Sequence, residues 1–427
     1  MDSSASSRWS TLPRDILEGV TKRLDCTRIQ ILKLRAVCSA WRSIVSIPAN
    51  TFGPNGSTLK LPYPDNILEK RPLHVFTHPD YVCCLLKEST IYCVEPLTEV
   101  LGDPKSSVGY WFAKIEETES GKVRLMDPFS GLTKENFRDN VILPQQRPDE
   151  RCNFGSFTLA INLLDYRVTE VVKTYDLVGV SFDESGELQV NSSRIKKVVV
   201  GYDNNSKFSV MALGNRGDFG VWKMADNQWV KVNCGRKGKF LHDISYHNGR
   251  FYGVDASKTI IAVDLSSLEV TLVVPPMVCN TTIAYLHKYL VNSLGDLYLI
   301  HRRPRHQDLA DANGNGPTID AEVYKLNEEQ GKWISVKSLG NQVMFVGDRC
   351  CLSVSATEFV GLKGNCVFEV EEYRSGHYVG DFQIWNASLS DLEDQTAALS
   401  LRFGKGCFRS FWPPPTWLEY NYEVRKE

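Results

Sequence analysis

From about residue 70 to 415 the chain is a succession of short apolar runs closed by turn signals, and that texture excludes most folds. Val198-Val199-Val200 precedes Phe208-Ser209-Val210-Met211-Ala212-Leu213, and Phe219-Gly220-Val221-Trp222-Lys223 precedes Trp229-Val230-Lys231-Val232. His247-Asn248-Gly249-Arg250 sets an Asn-Gly pair between Asp243-Ile244-Ser245-Tyr246 and Phe251-Tyr252-Gly253-Val254. That pair tolerates the positive φ of a two-residue turn and so predicts a tight hairpin. Few long amphipathic helical patterns intervene, so the predicted class is mostly β.

The runs repeat weakly. Asn227-Gln228-Trp229-Val230-Lys231-Val232 resembles Gly331-Lys332-Trp333-Ile334-Ser335-Val336. Each follows a run that holds an aromatic (Trp222 and Tyr324), and each precedes a segment that ends near an aspartate (Asp243 and Asp348). The spacing is about one hundred residues, or two units of roughly forty to fifty, a period that suits four-stranded propeller blades. The length then predicts a β-propeller of about six or seven blades over residues 70–418.

The N-terminus reads differently. Leu12, Ile16, Leu17, Val20 and Leu24 recur at helical spacing behind Pro13, which suits a first helical turn, and Asp15 lies at the positive end of the helix dipole. Thr27-x-x-Gln30 reads as a capping box for a second helix carrying Ile31, Leu34, Val37 and Cys38. Ser39 is placed to cap a third, with Trp41, Ile44 and Val45, before Pro48. Three helices over 9–48 bury little by themselves and need a cover. Periodicity alone allows a cap on the rest of the chain as readily as a dock for another protein. Residues 49–69 are rich in Gly, Pro and Asn and read as a linker.

Composition narrows function mainly by exclusion. The net charge of −2 gives no global pull toward nucleic acid or an anionic membrane. The polar first residues do not form a secretory leader, and no apolar run approaches bilayer length. An intracellular location, in nucleus or cytoplasm, is the expectation. The twelve cysteines contain no Cys-x-x-Cys pair, and the eight histidines no His-x-x-x-His pair, so reduced structural thiols and no metal, cofactor or catalytic constellation are predicted. Cys83-Cys84 and Cys350-Cys351 would each place one thiol inside and one outside a strand. Gly214-x-x-Gly217-x-x-Gly220 lacks the Lys-Ser/Thr of a phosphate loop and reads as a hairpin turn. His301-Arg302-Arg303-Pro304-Arg305-His306 is the strongest basic run and opens a long polar stretch. It reads as a solvated loop, or, through Arg302, Arg303 and Arg305, as a contact for an acidic or phosphorylated substrate. Gly235-Arg236-Lys237-Gly238-Lys239 is a shorter basic patch. Trp412-Pro413-Pro414-Pro415 and Trp417 read as a tail pinned onto a blade.

Leu12-Pro13-x-Asp15-Ile16-Leu17, followed by Leu34-Arg35-x-Val37-Cys38-x-x-Trp41-Arg42-Ser43, resembles an F-box over the motif's length. The resemblance implies binding to a Skp-type adaptor and, through it, a cullin–RING ligase. Leu12, Pro13, Ile16, Leu17 and Val20 match the adaptor-contacting helix, and Leu34, Val37, Cys38 and Trp41 the remaining apolar face. Residues 70–418 resemble the plant F-box-associated domain of unknown function 295. The matching segments include Gly121–Gly131, Ile244–Tyr252, Tyr289–Leu297, Glu322–Leu326 with Trp333 through Asp348, and Phe411–Leu418. Tyr110-Trp111-Phe112-Ala113 keeps only part of that family's pattern. The resemblance implies a non-catalytic substrate-recognition subunit of an SCF-type ubiquitin ligase. The alternative is an adaptor-bound regulatory protein without a ubiquitination substrate.

Overall fold

A computed structural model describes residues 12–23, 27–46, 58–64, 81–97, 111–117, 123–126, 128, 160–182, 188–191, 195–203, 207–232, 240–277, 287–304, 319–359, 364–374, 383–392 and 400–403. Among the described residues three helices come first: α1 (Arg14–Arg23), α2 (Arg28–Ala36) and α3 (Ser39–Ile44). The local signals place their starts. Ile16 and Leu17 donate backbone N–H groups to the Pro13 carbonyl, each at 3.2 Å. Gln30 reaches back to accept from the Thr27 N–H at 2.8 Å. Ser39 is not the cap of α3. That position belongs to Cys38, whose Sγ accepts from the Trp41 N–H at 3.5 Å, leaving Ser39 as the first helical residue.

All further regular structure among the described residues is strand, apart from two 3₁₀ turns, so the mostly-β expectation holds. The first sector contains β1 (Thr58–Leu61), β2 (Tyr81–Pro96), β3 (Trp111–Glu117), β4 (Val123–Met126), β5 (Ala160–Ile161), β6 (Tyr166–Phe182) and β7 (Leu188–Asn191). Its frame is the long antiparallel pair β2–β6, in register from Tyr81↔Ser181 to Pro96↔Tyr166. β1 lies inside the stretch read as linker, yet it pairs with β2 from Thr58↔Lys87 to Leu61↔Cys84, and Leu61 is buried.

Three antiparallel four-strand meanders follow. They are β8–β11 (Ile195–Tyr202, Phe208–Gly214, Phe219–Lys223, Gln228–Lys231), β12–β15 (Leu241–His247, Arg250–Asp255, Ile260–Asp264, Val270–Val274) and β16–β19 (Lys288–Ser293, Asp296–Pro304, Ile319–Asn327, Lys332–Val336). The last sector holds β20 (Gln342–Gly347), β21 (Cys351–Ser355), β22 (Cys366–Arg374), β23 (Gln383–Asp391) and β24 (Ser400–Phe403), with β20 parallel to β22 and antiparallel to β21.

Apolar clusters join the sectors in sequence. Leu86 and Leu177 pack with Val198 and Trp222. Met211 and Val221 pack with Ile244 and Phe251, and Val254 and Ile260 with Leu290 and Leu299. Val291 and Ile300 pack with Met344 and Val367. Finally Ile91 and Phe112 meet Phe345 and Phe368, which returns the chain to its first sector. Among the described residues the ring therefore has five sectors, where length suggested six or seven. The even division by length did not foresee β2 and β6, 16 and 17 residues long. β2 is covered on both faces, so Cys83 and Cys84 are both buried instead of alternating.

The turn readings hold. Asn248 (φ 42°) and Gly249 (φ 79°) close β12 onto β13. Gly214 and Gly217 close β9 onto β10, with the Gly217 N–H donating to the Gly214 carbonyl at 2.9 Å. The repeat is also real. Trp229 and Trp333 sit on the fourth strands of meanders two sectors apart, and each indole N–H donates at 2.7 Å, to the Pro62 and Lys258 carbonyls respectively. The Trp412–Trp417 tail and the 235–239 patch lie outside the described residues.

Candidate functional site

The N-terminal helices divide their apolar residues between two tasks. On α2, Ile29 and Leu32 are buried in a cluster with Tyr92 and Val94 of β2, Ile115 of β3 and Leu125 of β4. Lys33 Nζ, on the next residue, donates to the Tyr166 carbonyl at 2.7 Å. Part of the element therefore does cap the β-domain. Leu17, matched above to an adaptor-contacting helix, is 1% exposed and serves the element's own core. Ile16 and Val37 are 50% and 41% exposed, and Pro13 is exposed. Leu12, Val20, Leu34, Cys38 and Trp41 are half-buried. Arg35 steadies the end of α3, donating to the Arg42 carbonyl at 2.8 Å and to the Val45 carbonyl.

A second polar centre was not foreseen. The inner strands β8, β12 and β16 run side by side in one direction, so their starts lie on one face, here called the upper rim. Near that rim Lys197 Nζ pairs with Asp243 at 2.8 Å, and the other Asp243 oxygen accepts from the Leu290 N–H at 2.7 Å. Burial alone would lower the lysine pKa, but the Asp243 carboxylate outweighs it and raises the value above normal. The turn between β20 and β21 projects into the same place. Asp348 pairs with Lys196 at 2.9 Å and lies 3.6 Å from His287 Nδ1. Arg349 reaches Asp176 of β6 at 3.8 Å, and Lys114 of β3 reaches the same carboxylate at 3.8 Å. The His242 carbonyl accepts from Lys196 Nζ at 3.0 Å.

Sequence reasoning missed these cations because each becomes informative only beside partners 46 or more residues away. The one available signal was the recurrence of Asp243 and Asp348 after the Trp229 and Trp333 segments. Burial pushes the Cys350 thiol up to about 11 and the Cys351 thiol up to about 12, which leaves both protonated and poor nucleophiles. No group of His, Cys, Asp or Glu among the described residues is arranged to hold a metal ion. No helix among them is long and apolar enough to cross a membrane.

The basic run is placed differently from its sequence reading. His301, Arg302, Arg303 and Pro304 do not open a loop; they end β17, in register with Glu322, Ala321, Asp320 and Ile319 of β18. Because His301 pairs with Lys288 at the start of β16, Arg302 and Arg303 extend onto the upper rim. Arg305 lies outside the described residues.

The sequence model of the KIB1-4 beta-propeller family matches residues 75–386. Among curated relatives, the F-box protein SKIP23 of Arabidopsis thaliana is 25% identical, over 96% of this chain and 95% of its own length. The Arabidopsis F-box protein At2g17036 is 24% identical, over 97% of this chain and 96% of its own. The Arabidopsis F-box/kelch-repeat protein At1g64840 is 25% identical, over 89% of this chain and 91% of its own.

Proposed function

This chain belongs to the KIB1-4 β-propeller family, and from that premise we propose that it is the substrate-recognition subunit of an SCF-type ubiquitin ligase. Residues 9–48 form the F-box, 49–69 lead into the β-domain with β1 already part of its sheet, and 70–418 form the substrate-binding domain. Full-length relatives named as F-box proteins support this reading. The observation that carries it is the division of the N-terminal helices. Ile29 and Leu32 are spent on the β-domain, while Ile16 and Val37 remain 50% and 41% exposed. Two large apolar side chains left in water on a small helical unit are best explained by a partner that covers them. In this reading Leu12, Pro13, Ile16, Val20, Leu34, Val37, Cys38 and Trp41 meet a Skp-type adaptor, and Leu17 supports them from within. The chain itself makes and breaks no bonds; it holds a target near a ubiquitin-loaded enzyme and so raises the effective concentration of a target lysine. It works in the nucleus or cytoplasm.

The test is co-purification of the adaptor with the full chain. Ile16→Asp combined with Val37→Asp is expected to abolish adaptor capture with no change in the thermal melt of the β-domain. Undiminished capture by the folded double variant overturns the proposal.

A further inference from the structure

The inner strands end on the face opposite the charged centre, here called the lower rim. At that end the links printed between neighbouring strands carry no charge. Tyr246 Oη donates to the Tyr202 carbonyl at 2.8 Å, and Asn292 Nδ2 donates to the Tyr246 carbonyl at 2.9 Å. The Ser293 and Ser353 hydroxyls lie 2.9 Å apart, and Gln342 Oε1 accepts from Ser353 at 3.1 Å. Gly201 belongs to the arrangement, since a Cβ there would stand 2.6 Å from the Tyr246 ring. The flanking charges face each other: Lys325 pairs with Asp296 at 2.6 Å and Arg250 with Glu328 at 3.9 Å.

Directly after Ser293 stands Leu294, 79% exposed and with a φ of 50°. With Gly295 (φ 83°) it closes β16 onto β17, as Asn248 and Gly249 close β12 onto β13. Asparagine tolerates that left-handed backbone, whereas leucine is strained in it. Three of the other left-handed residues among those described are asparagines, Asn227, Asn248 and Asn365. Lys258 (φ 58°) is held by Glu322 and the Tyr324 hydroxyl. Leu268 (φ 59°) packs against the cluster of Met211 and Ile244, so its strain is offset by burial. Leu294 has no such offset within the described residues. A strained backbone that holds a large apolar side chain in water marks a place shaped for contact rather than for stability.

We propose that the lower rim, through Leu294, Tyr202 and Asn292, docks an uncharged segment of the target protein centred on a large apolar side chain. The inference rests on the reading above for the partner being a protein. Leu294 and Tyr202, which is 45% exposed, supply apolar area, and the exposed Asn292 amide supplies a hydrogen-bonding edge for a peptide backbone. The matched pairs Asp296–Lys325 and Arg250–Glu328 give an acidic or basic segment no surplus charge to meet. The hydrogen bonds from Tyr202 through Tyr246 to Asn292 link three sectors, so the surface is ordered before a partner arrives.

Fluorescence anisotropy of labelled twelve-residue Gly/Ser peptides with the full-length chain tests this, the two central residues being Leu-Phe, Glu-Glu or Lys-Lys. The Leu-Phe peptide is expected to bind tightest, with little change between about 50 and 300 mM salt. Leu294→Asn is expected to weaken that binding about tenfold. Its melting temperature should not fall, because asparagine relaxes the turn. Tyr202→Ala is expected to weaken binding about threefold. Leu272→Glu, at a 48% exposed position of the outer strand β15, is expected to bind as the unaltered chain does. Absence of Leu-Phe binding, equal or tighter binding of the charged peptides or of phosphatidylcholine vesicles, or undiminished binding by Leu294→Asn overturns the proposal. So does a Leu294→Asn chain that loses binding only together with a lower melting temperature, which assigns Leu294 a structural role. Adaptor capture measured on the same samples keeps the two readings apart. Failure of peptide binding with capture intact removes only this inference.

Discussion

Asp243 and Lys197 come from inner strands of neighbouring sectors and meet with both side chains almost fully buried, at 5% and 2% exposure for the lysine and aspartate. The aspartate also accepts the Leu290 N–H of the next sector. One carboxylate thus ties three consecutive sectors at the centre of the ring. Removing it leaves a buried ammonium and an orphaned amide. Asp243→Ala is expected to cost about 3–5 kcal/mol in urea unfolding. Lys197→Met/Asp243→Leu is expected to recover most of that loss, because the desolvation penalty disappears with both charges. Equal loss in the single and double variants would contradict this.

His301 sets a pH dependence. Burial, followed by the Lys258 and Lys288 charges, lowers its pKa from the usual 6.5 to about 3. The unfolded chain therefore takes up a proton that the folded chain refuses. Its contribution to stability is fully present above about pH 6.5 and is lost as pH falls toward 3, at about 1.4 kcal/mol per pH unit. Urea midpoints at pH 7 and pH 5 are expected to differ less in His301→Leu than in the unaltered chain. Identical slopes would place the acid sensitivity elsewhere.

Trp229 and Trp333 make the same hydrogen bond to different partners, so their loss should be local. Trp229→Phe is expected to speed amide exchange in β1, whose following residue Pro62 supplies the acceptor. Trp333→Phe should do so in the β13–β14 turn, where Lys258 supplies it. Each is expected to cost about 1–2 kcal/mol. Exchange that rises uniformly across the ring in either variant would argue against separate clasps.

Leu32 is 1% exposed between α2 and the first sector. Leu32→Ala is expected to cost about 2–4 kcal/mol, chiefly by releasing the helices from the β-domain. Protease cleavage between the helices and β1 should then accelerate, while β12–β15 keep their protection. An unchanged cleavage rate would mean the contact adds little.

Leu17 and Ile16 are neighbours with opposite fates, 1% and 50% exposed. Leu17→Ala should lower the melting temperature of the helical unit, whereas Ile16→Ala should leave it within a degree and weaken adaptor capture. Reversed effects would assign the two side chains the other way round.

Much of this was legible locally. Pro13, Thr27 and Gln30 mark helix starts through interactions that span at most four residues. Asn248-Gly249 and Gly214–Gly217 mark hairpins because few residues accept positive φ. The alternation of apolar runs fixed the β class, and the Trp229–Trp333 likeness marked equivalent strands two sectors apart. What the sequence could not divide was use. Leu17 against Ile16, and Ile29 and Leu32 against Val37, are all apolar residues on short helices; only the sheet that covers one side separates them. The charged centre was hidden for the same reason. Lys196, Lys197, Asp243, Asp348 and Arg349 look like ordinary polar residues until the sectors close on one another and set each within 4 Å of an oppositely charged partner from a distant segment. Local conformational preference is written in neighbouring residues; burial and the balance of charge depend on chain segments brought together from far apart, and only the tertiary structure decided those.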